Sequence, residues 1–273
     1  MSNVLITGCS SGFGELAALT FADRGHTVVA TMRTPGTSAA VNARPEILQM
    51  PLDVTSADSV NATVAEAIAQ VGSLDIVVNN AGVESFGAVH LFSDEEVAWQ
   101  FDTNVTGVVR VVRAVVPHML ANGGGAIVNV GSVAGRVGTP YGGMYAATKH
   151  AVEALTEAMH FELSHRGIRV TVVEPGQFPT ELSANSATVA AMQPGSDEYE
   201  RFQRYRAAQK SLVSSGPADP QRVADAIYAA ATERPGVLRH PVGDDADLVL
   251  GAKGGLSFED FDSTMRTVLN WHE

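Results

Sequence analysis

The stretch NVLITGCSSGFG, residues 3–14, decides the fold. Its start, NVLI, predicts a short buried strand, and the glycines that follow open a helix expected over about Glu15 to Arg24. Glycines let a chain turn tightly and bring backbone N–H groups close to a pyrophosphate at a helix N-terminus. At a first strand–helix junction this loop predicts a dinucleotide site, with an ordinary tight turn as the alternative.

Five further apolar runs repeat the same strand-then-helix order. They are TVVAT (27–31), EILQMPLDV (46–54), LDIVVNNAG (74–82), GAIVNVGS (125–132) and IRVTVVEPG (168–176). Each is nearly continuous in apolar character, as strands buried on both faces are. The repeated order predicts the α/β class, with a doubly wound parallel sheet in three layers, of the Rossmann type.

The chain shows no internal repeat and no long polar linker, so we expect one domain over residues 1–273. A more polar stretch of about 180–215 contains DEYERFQRYRAAQKSL (197–212) and predicts a small helical substrate lid over one end of the sheet. A helix over about 220–232, a last strand in GVLRHPVG (236–243) and a helical piece over about 258–271 are expected to follow.

Composition excludes several function classes. The 273 residues are 45% apolar and 18% charged, as in a globular protein, and the net charge of −12 without a basic run argues against nucleic acid as a partner. The single cysteine, Cys9, fits packing in the glycine loop and a reducing compartment. Without a basic leader or an apolar stretch long enough for a bilayer, we expect a cytoplasmic protein with no membrane partner. The eight histidines show no metal-ligand spacing, so no metal is expected.

The end of the second strand bears on cofactor choice. The sequence VVATMRTP places Arg33 where an acidic residue would accept hydrogen bonds from the ribose hydroxyls of NAD. A guanidinium binds phosphate through two charge-assisted hydrogen bonds, so Arg33 favours NADP(H), with a solvated loop arginine as the alternative. Asp53, followed by Val54, is placed to accept a hydrogen bond from the adenine amino group, and Ser10 and Ser11 to contact the phosphates.

Polar residues follow the later strands in a suggestive order. NNAG (79–82) ends the fourth strand, Asn104 lies in the following helix, and Ser132 follows the fifth strand. Tyr145 and Lys149 stand four apart in YAATK, on one face of a helix. Taken singly, these residues also fit an N-cap, a buried hydrogen-bonding partner or a surface pair.

Together these motifs make the chain resemble the short-chain dehydrogenase/reductase family, in its single-domain branch. The matching elements, in order over about residues 3–180, are TGCSSGFG, NNAG, Asn104, Ser132, YAATK and PGQFPT. The resemblance implies that Tyr145 exchanges a proton with the substrate oxygen, Ser132 holds that oxygen, and Asn104 anchors a water that leads protons to Lys149. It also implies a set of cofactor-binding residues: Gly8, Ser10, Ser11, Gly12, Phe13, Gly14, Arg33, Asp53, Val54, Asn80, Ala81, Gly82, Tyr145, Lys149, Pro175, Gly176, Phe178 and Thr180.

The tyrosine needs help to act near neutral pH. A free phenol has a pKa of about 10, and lowering it by two to three units needs roughly 3–4 kcal/mol. The Lys149 ammonium, together with an oxidised nicotinamide, is expected to supply interaction of that order. We therefore expect a lowered pKa for Tyr145.

The resulting hypothesis is an NADP(H)-dependent oxidoreductase that transfers a hydride between nicotinamide and a hydrophobic secondary alcohol or ketone, such as an aryl ketone or a steroid- or retinoid-like molecule. Its expected substrate contacts are apolar or aromatic, with Val133, Tyr141 and Leu182 foremost. The alternatives are an NAD-dependent alcohol dehydrogenase of the same fold and a non-catalytic dinucleotide-sensing scaffold. The family usually assembles through its two long helices, so a homodimer or homotetramer is expected.

Overall fold

The computed structural model describes residues 1–180, 186–212, 218–233 and 236–271, with only the backbone described at 210–212. Nine strands are present in these ranges: Asn3–Thr7 (β1), Thr27–Met32 (β2), Leu48–Pro51 (β3), Ile76–Asn79 (β4), Ser85–Phe86 (β5), Gly125–Val130 (β6), Ile168–Pro175 (β7), Ala187–Thr188 (β8) and Arg239–Val242 (β9). Seven of them form one parallel sheet in the order β3-β2-β1-β4-β6-β7-β9. The predicted doubly wound parallel sheet is confirmed.

The order of the strands places the site. The chain moves outward from β1 to β3 and then returns to β4 on the other side of β1, so the carboxyl ends of β1 and β4 flank the point where the order reverses. Open α/β sheets bind ligands in the crevice at such a point. The glycine loop follows β1 and the NNAG loop follows β4, so both lie at this crevice.

The helices in the described ranges are Gly12–Asp23 (α1), Ala39–Asn42 (α2), Ala57–Val71 (α3), Asp94–Phe101 (α4), Gly107–Ala121 (α5), Gly143–Leu163 (α6), Asp197–Leu212 (α7), Gln221–Thr232 (α8), Asp244–Gly255 (α9) and Phe258–Leu269 (α10). Ser56 caps α3 as expected, because its side chain accepts a hydrogen bond from the Ser59 N–H. Ser93 and Glu96 form a reciprocal capping box at α4.

Two apolar cores cover the faces of the sheet. On one face α1 and α8 pack against the strands through side chains such as Phe21 and Ile227. On the other face α3, α5 and α6 do so through side chains such as Val64, Val115 and Met159. These helices hold the sheet from both sides, which completes the three layers.

The C-terminal part follows the expectation with two additions. The strand in GVLRHPVG is β9, and the expected helices are α7, α8 and α10. Helix α9 was not predicted, because DDADLVLGAKGG has no apolar face of helical period. The two-residue strands β5 and β8 pair beside the main sheet and were also not predicted. Across the ranges given above, no helix has the length and apolar character needed to cross a bilayer.

Candidate active site

The glycine loop turns tightly because main chain passes close behind it. Gly8 has φ of +74°, and a Cβ there would lie 2.8 Å from the Ala81 Cα. Gly14 is packed as closely against the Gly8 carbonyl and the Asn80 side chain. These two positions exclude a side chain, so the glycines are required by contact between the loops after β1 and β4 as well as by the turn itself.

The N-terminus of α1 is open for an anion. Helix α1 begins at Gly12, three residues earlier than expected, and the side chain of its N-cap, Ser11, makes no capping hydrogen bond. Gly12 has φ of +60°, and the atom nearest to a Cβ built on it is the Thr180 Cβ at 3.7 Å. The orphan N–H groups of this first turn, facing free space, fit the pyrophosphate of a nicotinamide dinucleotide.

Several predicted cofactor residues lie around this opening. Ser10 is exposed beside it, and Phe13 meets the buried Phe178 edge to face, with ring centres 5.8 Å apart. Gly176 donates its N–H to the Val242 carbonyl at 2.8 Å, which ties the loop after β7 to β9. The loop after β7 is therefore brought over the start of α1.

Cys9 acts as a packing residue in this loop. It is fully buried, its N–H donates to the Thr31 carbonyl at 2.9 Å, and burial raises the pKa of its thiol to about 12. The thiolate that a nucleophilic role requires is therefore disfavoured.

The NNAG loop is clamped to β1 by side-chain hydrogen bonds. The Thr7 hydroxyl accepts the N–H groups of Asn80 and Ala81, both at 3.0 Å. The Asn80 amide in turn donates to the carbonyls of Thr7 and Gly8, at 2.8 and 3.1 Å. Asn80 thus supports the glycine loop from behind, while Gly82 lies between Asn104 and Lys149, whose side-chain atoms are 3.3 and 4.0 Å from its Cβ position.

Arg33 and Asp53 lie at the expected edge of the crevice. Arg33 is exposed directly after β2, and Asp53 accepts the N–H and hydroxyl of Thr55 at 2.9 and 2.7 Å. These hydrogen bonds lower the pKa of Asp53, with smaller contributions from Arg33 and Arg110. Val54 is buried beside them and accepts a hydrogen bond from Arg110 at 3.0 Å.

Asn104 is buried in a π-helical turn, Asp102–Thr106, between α4 and α5. Its Oδ1 accepts the Val83 N–H at 2.8 Å, and its Nδ2 donates to the Val83 carbonyl at 2.8 Å and to the Thr148 hydroxyl at 3.0 Å. Both N–H bonds of the amide are thereby used. A π-helical turn shifts the backbone pairing by one residue and is common at functional sites, and the role of Asn104 in anchoring a relay water stays a prediction.

Ser132 stands at the end of β6 and joins several elements. Its hydroxyl donates to the Pro175 carbonyl at 3.3 Å, accepts the Ala134 N–H at 3.1 Å and is hydrogen-bonded to the Tyr145 side chain. Val133, an expected substrate contact, follows in the same short turn. The serine therefore does cap a turn, and the same hydroxyl also meets the tyrosine.

Tyr145 and Lys149 lie on one face of α6. The Lys149 Nζ lies 5.6 Å from the centre of the Tyr145 ring and donates to the Val130 carbonyl at 2.8 Å. Burial, and next the charge of Glu84, raise the pKa of the Tyr145 phenol above its usual range, and the hydrogen bond with Ser132 opposes this. The expected lowering included an oxidised nicotinamide and stays a prediction; among the protein's own groups burial dominates and raises this pKa.

Lys149 is itself affected by its surroundings. The side chain is 6% exposed, and burial lowers the pKa of its ammonium to about 8, against the charges of Glu84 and Glu153. An ammonium with this pKa is still mostly charged at neutral pH. It remains a cation beside the phenol.

Glu84 was missed by the sequence reasoning. The carboxyl group is half-buried, burial raises its pKa to about 7, and the charges of Arg206 and Lys149 oppose that rise. A signal was present, since an acidic residue two positions after NNAG interrupts a segment of otherwise small and apolar residues. No recognised motif drew attention to it.

An aromatic cluster includes Tyr141, which precedes α6. Buried Val189, Met192 and Phe202 pack with Phe86 and Tyr141, and the Tyr141 ring lies 5.4 Å from that of Phe202. Tyr141 has φ of +61°, a strained value for a non-glycine residue. The expected contact Leu182 lies outside the described residues, as do parts of the expected lid. Within the described ranges no group of three or more His, Cys, Asp or Glu side chains is placed to hold a metal ion.

Comparisons with known proteins agree with this geometry. The short chain dehydrogenase family model matches residues 2–190. An uncharacterized oxidoreductase of Bacillus subtilis is 36% identical over 259 residues, 90% of each chain. The 3-ketodihydrosphingosine reductase of Bacteroides thetaiotaomicron is 39% identical over 182 residues, which cover 67% of this chain and 66% of that one.

Solved structures show the same fold. A short-chain dehydrogenase from Streptomyces avermitilis superposes with a TM-score of 0.80 at 32% identity, over 99% of this chain and 96% of that chain. A short chain dehydrogenase/reductase from Burkholderia phymatum, in complex with NAD, gives 0.79 at 28% identity, over 96% and 95%. A gluconate 5-dehydrogenase from Burkholderia cenocepacia, in complex with NADP and tartrate, gives 0.74 at 27%, over 90% and 95%. The chain therefore belongs to the short-chain dehydrogenase/reductase family, oxidoreductases that act on alcohol and carbonyl groups with a nicotinamide cofactor.

Proposed function

We propose that the protein is an NADP(H)-dependent oxidoreductase that interconverts a hydrophobic secondary alcohol and its ketone. The observation that carries the proposal is the convergence of Tyr145, Ser132 and Lys149 at the sheet edge where the glycine loop opens. When bound, the nicotinamide supplies or accepts the hydride. The residues of the chain then have to place the reacting oxygen and exchange one proton with it.

Tyr145 is the proton donor in ketone reduction. Its raised pKa keeps the phenol protonated, so the proton is present to be given. The Ser132 hydroxyl, hydrogen-bonded to the same phenol, is placed to hold the carbonyl oxygen beside it. As the proton leaves, the phenolate is stabilised by the Lys149 cation 5.6 Å from the ring centre. These roles favour reduction as the direction that the geometry supports.

NADP is preferred because of Arg33. The guanidinium is exposed at the end of β2, next to the Asp53 carboxylate, and no carboxylate occupies the position that would accept from a ribose hydroxyl. The related solved structures hold NAD in one case and NADP in another, so relatives support either nucleotide. Residue chemistry at position 33 is what supports NADP here.

The apolar character of the cluster around Phe86, Phe202 and Met192 supports a hydrophobic substrate. A relative named 3-ketodihydrosphingosine reductase indicates that a long-chain ketone is within the range of the family. We infer that residues 1–273 act as one unit with a lid over about 180–215, because β8 and α7 pack beside β5 and Tyr141. The substrate would then enter between this lid and the sheet edge.

Assembly as a homodimer or homotetramer follows from exposed apolar side chains on the long helices. Val109 on α5 is 40% exposed and Phe161 on α6 is 78% exposed. Light scattering of the wild type and of Phe161→Glu tests this, because a charge in a subunit interface should dissociate it. A wild-type protein that elutes as a monomer would contradict the assembly.

The test of the catalytic role compares Tyr145→Phe with Tyr228→Phe. Tyr228 packs on α8 between Phe21 and His26, away from the crevice. The loss of NADPH absorbance with a panel of aryl and long-chain ketones should fall about 10²–10⁴-fold in Tyr145→Phe and stay near wild type in Tyr228→Phe. Equal turnover by wild type and Tyr145→Phe would refute the donor role, and absence of turnover with NADH and NADPH alike would favour a dinucleotide-sensing scaffold.

The test of cofactor choice compares Arg33→Ser with Arg166→Ser, an exposed arginine distant from the glycine loop. Loss of an arginine–phosphate contact of about 1.5–3 kcal/mol should raise KM for NADPH about 10- to 100-fold and leave KM for NADH unchanged. A wild type that prefers NADH would support the NAD-dependent alternative.

A further inference from the structure

The main chain around Glu84 is held firmly on both sides. Before it, the N–H and carbonyl of Val83 are both bound by Asn104, at 2.8 Å each. After it, β5 pairs with β8, and the Gly87 N–H donates to the Tyr141 carbonyl at 2.9 Å. The position of Glu84 relative to the catalytic helix α6 is therefore set by the fold.

The Glu84 carboxyl has no close partner. The side chain makes no hydrogen bond or ion pair with any residue in the described part of the chain, although it is half-buried. The loop that carries it passes beside the site, since a Cβ built on Gly82, two residues before Glu84, would lie 4.0 Å from the Lys149 Nζ, and the charge of Glu84 acts on Tyr145 and Lys149. The carboxyl oxygens are not among the buried atoms that lack a partner, so they keep contact with solvent and are accessible to a ligand that enters the crevice.

The neighbouring cations are engaged elsewhere. The Lys149 Nζ donates to the Val130 carbonyl at 2.8 Å. The Arg206 guanidinium stacks over the rings of Phe86 and Phe202, 4.9 and 5.7 Å from their centres. Both lower the pKa of Glu84, but neither contacts its oxygens. The acceptor atoms of the carboxyl group are left for a donor that enters with the substrate.

We propose that Glu84 is a specificity-determining residue that binds a hydroxyl or ammonium group on the carbon next to the reacting carbonyl. The substrate class is then a hydrophobic α-hydroxy or α-amino ketone, with its apolar part against the aromatic cluster and its donor on Glu84. The inference rests on the proposed function, because it takes Tyr145 as the residue that marks the reacting oxygen. A site built to hydrogen-bond a donor rejects an analogue that lacks it, because the acceptor then stays unpaired.

The experiment uses three matched ketones with the enzyme and NADPH: acetophenone, 2-hydroxyacetophenone and 2-aminoacetophenone. At about pH 8, above the Glu84 pKa of about 7, wild type should show a kcat/KM about 10- to 100-fold higher for at least one donor-bearing ketone than for acetophenone. In Glu84→Ala this ratio should fall to within about threefold of unity. The control variant is Glu95→Gln, a change at an exposed residue of α4, and it should keep the wild-type ratio of kcat/KM values.

The Glu84→Gln variant separates the two donors. A glutamine still accepts from a hydroxyl but lacks the charge that favours an ammonium, so the preference for 2-aminoacetophenone should be lost and that for 2-hydroxyacetophenone mostly kept. A wild type with equal kcat/KM for all three ketones, or a Glu84→Ala variant that keeps the preference, overturns the assignment.

Binding of the product alcohols provides a readout that does not need turnover. Calorimetry with the enzyme–NADPH complex compares 1-phenylethanol, 1-phenyl-1,2-ethanediol and 2-amino-1-phenylethanol in wild type and Glu84→Ala. Tighter binding of a donor-bearing alcohol that disappears in Glu84→Ala supports Glu84 even if no ketone is reduced, in which case the proposed function alone fails. Equal binding of all three alcohols by wild type refutes the role of Glu84 whatever the activity.

Discussion

Replacement of Asn104 by alanine tests how the loop after β4, which contains Val83, is supported. The side chain makes three hydrogen bonds, to the Val83 N–H, to the Val83 carbonyl and to the Thr148 hydroxyl, at 2.8, 2.8 and 3.0 Å. It is 2% exposed, so water cannot easily replace it from outside. The change removes one side of the clamp that holds the loop after β4 against α6.

The magnitude follows from the count of bonds. A protein hydrogen bond contributes a net 0.5–1.5 kcal/mol, so three contribute about 3 kcal/mol. The Val83 N–H and carbonyl and the buried Thr148 hydroxyl then lose these partners at a place that water does not easily reach, so about 3 kcal/mol is a lower bound. For a chain of 273 residues about 3 kcal/mol corresponds to a drop in Tm of roughly 5 °C.

The assay is a thermal or urea unfolding curve followed by circular dichroism, together with ketone reduction at a temperature where both proteins are folded. The control is Asn61→Ala, a change at an exposed asparagine within α3, which should lie within about 0.5 kcal/mol of wild type. Activity should fall in Asn104→Ala, because Val83 and the loop beyond it lose their position. An Asn104→Ala protein with wild-type Tm would show that these hydrogen bonds contribute nothing net, and the account of the loop would be wrong.

Three further outcomes are expected. Gly8→Ala should lower the free energy of unfolding by about 2–4 kcal/mol, because φ is +74° and a Cβ would lie 2.8 Å from the Ala81 main chain. The control Gly36→Ala, with φ of +86° and open space around it, should lower it by only about 1–2 kcal/mol. Urea unfolding measures both. Burial raises the pKa of Glu153 to about 7 and also raises the pKa of Glu174, so the folded state holds these protons more tightly than the unfolded state. The stability that the two groups contribute is therefore present below about pH 4.5 and is lost as the pH rises through 7. The slope of unfolding free energy over that window should flatten in Glu153→Gln, and an unchanged slope would contradict the assignment. Cys9, buried with a pKa of about 12, should react with a thiol reagent only after denaturation, and labelling of the folded protein would contradict this.

The sheet could be predicted from the sequence because its signals are local. Each strand buried on both faces is a continuous apolar run, and Gly8 and Gly12 stand at positions where the chain needs positive φ. The helix starts were less accurate. The start of α1 at Gly12 was missed because its first turn contains Gly12 and Gly14, and glycine has a low helix propensity.

The positions of Tyr145, Lys149 and Ser132 could be predicted because spacing along α6 and the end of β6 bring them together. Their electrostatics could not. The pKa of Tyr145 depends on burial and on Glu84, and neither is visible in the spacing of YAATK. The expected lowering combined Lys149 with an oxidised nicotinamide, whereas among the protein's own groups the desolvation of the phenol decides the direction.

Asn104 and Glu84 both lie next to Val83, the first through hydrogen bonds and the second in the sequence, but their polar groups have different environments. Asn104 uses both amide N–H bonds and its carbonyl oxygen in hydrogen bonds to Val83 and Thr148, so it fixes the loop and has no free donor for a ligand. Glu84 makes no hydrogen bond or ion pair with the described residues, and its half-buried carboxyl group keeps contact with solvent. In the proposed site, Asn104 therefore supports the loop and Glu84 recognises the substrate. We therefore expect the reduction to tolerate many changes in the part of the substrate that contacts the aromatic cluster. The choice among ketones should depend on the Glu84 carboxyl group next to the reacting carbon.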